Sequence, residues 1–340
     1  MPGTIRTSAP GKLFLIGEYA VLDGAPALLT SVNRRAHVTI TPAHDQQWRL
    51  TAANLDIHGL ALAPSGATPA EADADLRHKL SVFDAVRRAV VARLAGELPP
   101  LHIEIDTRDF ARDGHKLGLG SSAAVAAALT YALGLAGGQG WAPAELCALA
   151  IAAHRDAQHG TGSGGDVATS VYGGLISYRR DQTPQPLAWP ADLLGMAVVT
   201  GEGASTTELV GRVKALAERD RPAYNAGIAT LSRLADTAQQ SLADNRLFLD
   251  LADAYFDALG ALDTHAGAGI ISTRHHALHA LAAEHGAVFK SSGAGGGDVG
   301  LLFVTRGAQE TAVRRAFAES DAHILPLILG GDGTRIEHVP

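Results

Sequence analysis

Several features that define other classes of protein are scarce in this chain of 340 residues. It has a single cysteine, Cys147, so no disulfide bond can form within the chain. No apolar run approaches the roughly 20 residues that a membrane-spanning helix needs, and the N-terminus lacks the basic and then apolar pattern of a signal peptide. We therefore expect a protein of the reducing cytoplasm with no membrane partner.

Positive charge is scarce as well. The chain has 28 lysines and arginines against 35 aspartates and glutamates, which gives a net charge of −7, and no basic block stands out. Proteins that bind the phosphate backbone of nucleic acids usually carry a basic surface, so we expect no nucleic-acid partner. Hydrophobic residues make up 46% of the chain, which is ample for a folded core.

The length of the chain predicts about two domains at roughly 150 residues each. The stretch DQTPQPLAWP, at 181–190, is rich in proline and glutamine and marks the best boundary. We therefore divide the chain into domains of residues 1–185 and 186–340. Strands and helices are predicted in mixed order without strict β-α-β alternation, which favours an α+β fold.

The hydrophobic patterns give the following elements. Strands are predicted at 4–9, 35–41, 47–52, 101–106, 195–200, 287–290, 299–304 and 323–329. Helices are predicted at 78–96, 122–136, 142–158, 206–218, 222–241, 246–261, 275–285 and 308–319. An irregular loop is expected over 60–75, where Ala, Pro and Gly are frequent.

The chain has 38 glycines, and the informative ones gather in short clusters. The first cluster, Lys116-Leu117-Gly118-Leu119-Gly120-Ser121-Ser122, follows a strand and a loop and opens an alanine-rich helix. Glycines let the backbone approach a ligand closely, and the N–H groups at a helix start attract anions. The pattern predicts a phosphate site with Lys116 at its edge. A plain helix cap by Ser121 or Ser122 after a glycine turn is the alternative.

Two common phosphate-binding motifs are not found. Leu13 follows Gly11-Lys12 where a P-loop has Ser or Thr, and Arg6 stands where that motif needs its first glycine. The dinucleotide motif GxGxxG fails because Ala123 occupies its last position, although an alanine variant exists. Since no early strand–GxGxxG–helix unit occurs, a nicotinamide-dependent oxidoreductase is not favoured.

Two further glycine clusters lie beside charged residues. The cluster from Gly160 to Asp166 ends in a carboxylate that is well placed to accept a proton from a substrate hydroxyl, with a helix N-cap as an equal alternative. The cluster from Lys290 to Asp298 lies between two strands and suggests backbone packed against a ligand, with a flexible hairpin tip as the alternative.

The N-terminal segment places charged side chains inside an apolar, strand-like run. Lys12 and Glu18 are the two charged positions of the sequence APGKLFLIGEYAVL. A buried charge must be paired or must serve a site, so both residues are candidates for a functional role. A lysine at the end of a strand, in solvent, is the alternative for Lys12.

Together these segments resemble the galactokinase, homoserine kinase, mevalonate kinase and phosphomevalonate kinase (GHMP) superfamily. The matching motifs are Pro10-Gly11-Lys12 through Gly17-Glu18, then Gly118 to Ala123, then Gly293 to Gly297. They occur in the order typical of the superfamily, and the resemblance covers essentially the whole chain. The segments GEYAVLDGAPAL, GTGSGGDVATSVYGGLISY, GEGASTTELV and KSSGAGGGDVGLLF are most similar to the phosphomevalonate kinase family.

The resemblance implies an α+β fold with an S5-like, ATP-binding N-terminal domain, a ferredoxin-like C-terminal domain and an active site in the cleft between them. It also implies ATP and Mg²⁺ as cofactors. The expected reaction is transfer of the γ-phosphoryl group to 5-phosphomevalonate, giving 5-diphosphomevalonate in isoprenoid biosynthesis. Because that acceptor is already ionised, Asp166 would complete its deprotonation or orient it.

The resemblance also assigns roles to individual residues. Asp166, Lys12 and Lys116 would be catalytic. The nucleotide would be bound by Gly118, Leu119, Gly120, Ser121, Ser122 and Ala123, with Ser122 preferred to Ser121 as the Mg²⁺ ligand. The phosphorylated small-molecule substrate would be bound by Lys12, Glu18, Tyr19, Gly165, Ser205, Thr206, Ser291, Gly293 and Ala294.

Two other functions stay open. A kinase of the same superfamily with a different acceptor, such as mevalonate or a sugar, shares much of each motif. A non-catalytic member that acts as a sensor is less favoured, because such a protein has no physical need to keep Lys12, Lys116, Ser122 and Asp166 together. The sequence leaves the oligomeric state open.

Overall fold

The computed structural model describes residues 3–112, 114–201, 205–297 and 299–337. Its strands are β1 (Ile5–Ile16), β2 (Ala27–Pro42), β3 (Arg49–Ala52), β4 (Ile57–Ala61), β5 (Leu101–Asp106), β6 (Ala111–Arg112), β7 (His115–Lys116), β8 (Leu175–Tyr178), β9 (Gln185–Leu187), β10 (Leu193–Val199), β11 (Val288–Ser291), β12 (Val299–Thr305), β13 (His323–Ile324) and β14 (Arg335–Ile336). Its helices are α1 (Ala74–Lys79), α2 (Ser81–Val91), α3 (Ser121–Ala136), α4 (Pro143–Ala157), α5 (Gly165–Tyr172), α6 (Thr206–Arg219), α7 (Arg221–Ser241), α8 (Asn245–Ala266), α9 (Thr273–Ala283) and α10 (Ala308–Glu319).

The strands form two large sheets and one short hairpin. The first sheet has the order β14-β1-β2-β5-β3-β4, with β8 paired to β2 and β9 paired to β8. The second has the order β11-β12-β10-β13, and β6 and β7 form the hairpin. Among the described strands, β3 and β5 are the one parallel pair. The predominance of antiparallel pairing confirms the predicted α+β class.

Strand β1 runs further than the predicted strand at 4–9 and continues through the Pro10-Gly11-Lys12 motif to Ile16. The register against β2 shifts between Pro10 and Lys12, so the sheet accommodates the proline through a local irregularity. At Gly11 an added Cβ would lie 2.7 Å from the Leu119 carbonyl oxygen, so this position needs glycine. The strand thereby comes close to the first glycine cluster.

Helix α3 packs against β1 and β2 through small side chains. Six of its seven alanines are buried, which lets the helix axis approach the sheet closely. The Thr7 hydroxyl of β1 donates a hydrogen bond of 2.8 Å to the Ala128 carbonyl oxygen. Helices α2, α4 and α5 pack around α3 and complete this layer.

The helix predicted at 78–96 is wrong in its bounds. The chain forms α1 from Ala74, inside the predicted loop at 60–75, and breaks at Leu80 before α2 begins. Asp73 caps α1 by accepting a hydrogen bond of 2.8 Å from the Leu76 N–H, a start signal that the hydrophobic pattern does not contain.

The end of the chain returns to the first sheet. The strand predicted at 323–329 is limited to β13, and the following residues run back so that β14 pairs with Thr7 and Ser8 of β1. The Arg35 guanidinium donates hydrogen bonds to the carbonyl oxygens of Asp332 and Gly333 and fixes this return. The first sheet therefore contains residues from both sides of the predicted boundary at 185/186.

A continuous hydrophobic core joins the two sheets through the helices, and it includes Leu15 of β1 as well as Phe303 of β12. A smaller core lies between the second sheet and helices α9 and α10. Cys147 of α4 is buried, and burial raises the pKa of its thiol to about 12, which fits a packing role. No helix in the described ranges is both long and apolar enough to cross a membrane.

Candidate active site

A cavity of about 440 Å³ lies where the two sheets and their helices meet. Five parts of the chain meet there: the segment from β1 to Leu22, the two glycine clusters before α3 and α5, the start of α6, and the third glycine cluster. The lining residues are Lys12, Phe14, Glu18, Tyr19, Val21, Leu22, Phe110, Lys116, Gly118, Leu119, Gly120, Ser121, Ser122, Gln158, Thr161, Gly162, Ser163, Asp166, Thr206, Thr207, Val210, Gly211, Lys214, Ser292, Gly293, Ala294, Gly295 and Gly297.

The first glycine cluster wraps around the start of α3. Gly118 and Gly120 have φ values of +64° and +79°, a conformation that L side chains rarely adopt. The Lys12 N–H donates a hydrogen bond of 2.8 Å to the Leu119 carbonyl oxygen, which ties the loop to β1. An added Cβ at Gly120 would lie 3.0 Å from Lys12 Cε. The loop therefore needs glycine for its backbone and for the lysine beside it.

The start of α3 has no side-chain cap. Gly120 is the N-cap residue, so the alternative prediction for this cluster, a helix cap by Ser121 or Ser122, is wrong. The Ser122 hydroxyl instead lies 3.1 Å from His154 Nε2, and His154 lies 3.3 Å from the side-chain nitrogen of Gln158. The N–H groups of the first turn are thus left for an anion in the cleft.

Asp166 is positioned by the start of α5. The N-cap of this helix is Gly164, with φ +91°, so the alternative that Asp166 is the N-cap residue is wrong. Asp166 Oδ1 accepts a hydrogen bond of 2.9 Å from the Val167 N–H. The Ser170 hydroxyl donates to the Pro10 carbonyl oxygen at 2.8 Å, which fastens α5 to β1. The carboxylate of Asp166 thereby faces the same cleft as Lys12.

Two lysines that the sequence singled out line the cleft. Lys12 is 8% exposed, and its Nζ lies 5.4 Å from the centre of the Phe14 ring. Lys116 ends β7 and is exposed at the mouth of the cleft. The two ammonium groups therefore border the glycine loop from the buried side and from the open side.

The third glycine cluster contacts the N-terminal segment. The Phe14 N–H donates to the Ser292 hydroxyl oxygen at 2.9 Å, and the Tyr19 hydroxyl donates to the Ala294 carbonyl oxygen at 2.6 Å. Burial raises the pKa of Tyr19, so its hydroxyl stays protonated and keeps this bond. An ordered loop with these contacts replaces the flexible hairpin tip considered above. Asp298, at the end of the cluster, lies outside the described residues.

Glu18 and Lys290 form a buried ion pair behind this loop. Lys290 Nζ lies 2.5 Å from Glu18 Oε1, and the two side chains are 0% and 2% exposed. Burial lowers the pKa of Lys290, and the nearby Glu18 opposes that shift. Lys290 is therefore a partner of Glu18 from behind the cleft, and Glu18 Oε2 has no hydrogen-bond partner among the described atoms.

Most of the residues assigned from the resemblance lie on the cavity lining, and four do not. Ala123 is fully buried in the helix layer, and Gly165 is buried under Tyr178. Ser205 caps α6, where its hydroxyl accepts a bond of 3.4 Å from the Glu208 N–H. Ser291 is fully buried, and its neighbour Ser292 reaches the cavity instead. Residues 202–204, in the segment GEGASTTELV, lie outside the described residues.

Other lining residues were identified only as members of the second and third glycine clusters: Thr161, Gly162, Ser163, Ser292, Gly295 and Gly297. The lining residues that the sequence did not assign to the site are Phe14, Val21, Leu22, Phe110, Gln158, Thr207, Val210, Gly211 and Lys214. For Thr207, Gly211 and Lys214, the available signal was their spacing on a predicted helix, because residues four and seven positions apart share a helix face. Phe110 follows no pattern, since it reaches the cleft from a 3₁₀ turn before the β6–β7 hairpin.

The arrangement suits an anion with several charges. Helices α3, α5 and α6 all begin at the cleft, so three partial positive charges point into it, together with Lys12 and Lys116. The described residues contain no cluster of three or more His, Cys, Asp or Glu that could hold a metal on its own. The cleft therefore favours phosphate groups, with hard oxygen atoms from Ser122 and Asp166 beside them.

Comparison with known proteins assigns the chain to a family. Residues 81–174 match the model of the N-terminal domain of GHMP kinases. A phosphomevalonate kinase from Streptomyces sp. (strain CL190) is 32% identical over 96% of this chain and 96% of its own length. The chain belongs to the GHMP kinase superfamily. It is accordingly a kinase, as the glycine motifs indicated.

A further relative supports the assignment, and solved structures support the fold. A mevalonate kinase from Methanothermobacter thermautotrophicus is 28% identical over 85% of this chain and 87% of its own length. The solved structure of the Lin0012 protein from Listeria innocua superimposes with a TM-score of 0.87 at 24% identity, covering 99% and 100% of the two chains. The structure of Streptococcus pneumoniae phosphomevalonate kinase in complex with phosphomevalonate and AMPPNP superimposes with a TM-score of 0.78 at 20% identity. The match covers 96% of this chain and 99% of that chain. The two-domain GHMP kinase fold is thus confirmed.

Proposed function

We propose that this GHMP kinase transfers the γ-phosphoryl group of ATP to 5-phosphomevalonate and releases 5-diphosphomevalonate and ADP. The observation that carries the proposal is the match to the Streptomyces phosphomevalonate kinase over 96% of both chains. The cleft supports it, because three helix starts and two lysines suit a reaction between two phosphorylated substrates.

The first step of the proposed mechanism is neutralisation of the nucleotide phosphates. The N–H groups at the start of α3 and the glycine backbone from Gly118 to Gly120 would bind the phosphate oxygens. Lys116 and Lys12 would offset the negative charge that otherwise separates the donor from the acceptor. Phosphoryl transfer depends mainly on such positioning and electrostatic stabilisation.

The cleft presents two oxygen donors that suit a Mg²⁺ ion, Ser122 and Asp166. A hydroxyl has two acceptor lone pairs, so the contact between Ser122 and His154 leaves the Ser122 oxygen able to bind a cation. The Asp166 carboxylate on the same lining is a second hard ligand. Mg²⁺ is commonly held by one or two such groups together with water and substrate phosphates, so these residues fit. When bound, Mg²⁺ would neutralise charge on the phosphates.

Asp166 would act on the acceptor. A non-bridging oxygen of the acceptor phosphate attacks the γ-phosphorus atom, while the bond from that phosphorus to the β–γ bridging oxygen breaks and leaves ADP. Near neutral pH the acceptor phosphate has already lost most of its protons, so Asp166 would remove a remaining proton or orient the oxygen. Such a role needs the Asp166 carboxylate near Lys12. Both residues line the same cavity.

The acceptor would lie between the N-terminal segment and the C-terminal domain. Thr206, at the first position of α6, would bind the acceptor phosphate through the helix start, and Ser205 would act by capping that helix. Tyr19, Gly293 and Ala294 would form the opposite wall. Glu18 would shape this wall from behind, through its pair with Lys290.

Mevalonate is the second candidate acceptor. It is favoured by the match to the Methanothermobacter mevalonate kinase over most of both chains. With an alcohol as acceptor, Asp166 would have to remove the hydroxyl proton, so the reaction would depend more strongly on this base. A catalytically inactive sensor is not favoured, because Lys12, Lys116, Ser122 and Asp166 all face one cleft.

A coupled ADP-release assay tests the proposal. The purified chain is incubated with ATP, Mg²⁺ and, in separate reactions, 5-phosphomevalonate, mevalonate, galactose or homoserine. The highest kcat/KM is expected with 5-phosphomevalonate. If another acceptor is phosphorylated and 5-phosphomevalonate is not, the proposed substrate is overturned. If none of the four acceptors is phosphorylated, the sensor function is favoured.

A further inference from the structure

Helix α6 presents a strip of residues to the cleft that extends two turns beyond its start. Thr207, Val210, Gly211 and Lys214 all line the cavity. Their spacing of three, four and seven positions places them on one face of the helix. The proposed catalytic groups Lys12, Lys116 and Asp166 line the same cavity, so a ligand on which they act can also contact this strip.

Lys214 also borders a side recess of about 100 Å³ that opens from the cleft. Its charged lining residues are Asp23, Arg180 and Lys214. The Asp23 carboxylate accepts a hydrogen bond of 2.7 Å from the Tyr224 hydroxyl, and Arg180 Nε lies 3.6 Å from Asp181 Oδ2. Lys214 is exposed at the junction of the recess and the cleft, where a ligand carboxylate can reach it.

Gly211 lies inside α6, and no contact with the described residues requires glycine at this position. Its backbone is helical, and an added Cβ would meet no described atom within 4 Å. Glycine in a helix interior is less stable than alanine, so a helix does not gain from it. On the cleft face, the missing side chain leaves space beside Lys214 for the carbon skeleton of a ligand.

On the basis of the proposed function, we propose that this face of α6 binds the acceptor end farthest from the transferred phosphoryl group. Lys214 is the counter-ion of the acceptor carboxylate, and Gly211 makes room for the carbon chain. The acceptor is anionic at both ends, and its phosphate must lie near Lys12 and Asp166. Seven residues of helix separate Thr207 from Lys214 by about 10 Å, a span that suits a five-carbon acceptor with its two charged groups.

The first test compares Gly211→Ala with Gly260→Ala. Gly260 lies within α8, an added Cβ there also meets no described atom within 4 Å, and the residue is absent from the cavity lining. Both substitutions are expected to raise the melting temperature by about 1 °C, because alanine favours a helix. Only Gly211→Ala is expected to raise the KM for phosphomevalonate, by about ten-fold, while the KM for ATP stays unchanged.

The second test removes the charge. Lys214→Met is expected to raise the acceptor KM by about ten-fold and to change kcat by less than about two-fold, because a contact equally strong in ground and transition states affects KM alone. Lys214→Arg keeps the charge and should recover most of the affinity. Lys79→Met, at an exposed lysine of α1, changes the net charge equally and should leave both parameters as they are.

A binding measurement without nucleotide gives a readout other than turnover. Phosphomevalonate should raise the melting temperature of the wild type and of Gly260→Ala, and the same concentration should raise that of Gly211→Ala and Lys214→Met much less. Equal shifts and equal acceptor KM values in all four proteins would overturn this inference and leave the proposed function standing.

The acceptor panel keeps the two proposals apart. If the wild type phosphorylates mevalonate and not phosphomevalonate, the proposed substrate is wrong, and the same variants are measured with mevalonate, which has the same distal carboxylate. The ten-fold changes are then expected with mevalonate, and unchanged values would overturn the role of α6. If the wild type neither phosphorylates nor binds phosphomevalonate or mevalonate, both proposals are overturned.

Discussion

Replacement of Lys290 by methionine is expected to destabilise the protein strongly, because it leaves a carboxylate buried without a counter-ion. Lys290 Nζ donates to Glu18 Oε1 and to the Ser291 carbonyl oxygen, both at 2.5 Å. Methionine fills nearly the same volume as the lysine stem but carries no charge. The variant therefore tests the ion pair with little change in packing.

The size of the effect follows from the burial of both partners. Glu18 is 2% exposed, and its Oε2 already has no hydrogen-bond partner among the described atoms, so loss of Lys290 leaves the whole carboxylate without one. Breaking a buried pair by removing one partner costs about 3–5 kcal/mol. That is a large part of the ~5–15 kcal/mol by which folded proteins are stable.

Urea unfolding, followed by circular dichroism, measures this loss. The double variant Glu18→Gln/Lys290→Met removes both charges and should recover at least half of it, because no buried charge then lacks a partner. Arg88→Met is the matched control, since Arg88 and Asp156 form a surface pair at 2.7 Å and should contribute less than about 1 kcal/mol. A loss for Lys290→Met as small as that of the control would refute the reasoning.

Three other predictions test the site and the fold. Asp166→Asn should lower kcat by at least about 100-fold and leave the KM for ATP nearly unchanged in steady-state assays. Burial lowers the pKa of His275 to about 4 in the folded protein. As the pH falls from 6.5 towards 5, this imidazole therefore takes up a proton in the unfolded chain and stays largely neutral in the folded one. Urea unfolding should therefore show a loss of about 2 kcal/mol between pH 7 and pH 5, and His275→Gln should remove that loss. Gly120→Ala and Gly138→Ala both place alanine at positive φ and should each cost about 1–2 kcal/mol in urea unfolding, but only Gly120→Ala, against Lys12, should lower kcat. Equal kcat values in these two variants, unchanged turnover in Asp166→Asn, or a pH-independent wild type would each contradict the corresponding argument.

The parts of the site that could be predicted are those with a local signal. Helix α3 begins at Ser121, where the sequence changes from glycine to an alanine run, because a helix start is decided by its immediate neighbours. Lys116 and Asp166 lie beside glycine clusters, and both line the cleft. Local pattern was sufficient there because one turn of backbone brings glycine and charge together.

The parts that could not be predicted depend on residues far apart in the chain. Lys290 stands beside a glycine cluster in the same way as Lys116, but it pairs with Glu18, which is 272 positions away. Strand β14 is two residues long and exists because β1 offers it an edge. Ser291 and Ser292 differ by one position, and the pairing of β11 with β12 decides which of them is buried.

The buried pair also bears on how an acidic protein would handle two anionic substrates. The chain has a net charge of −7, yet the charged groups on the described cavity lining are Lys12, Lys116 and Lys214 against Glu18 and Asp166. Lys290 offsets the charge of Glu18 from behind the cleft, and Asp166 is the other carboxylate on the described lining. The lysines and the three helix starts at the cleft favour anionic ligands there, although the protein as a whole is negative.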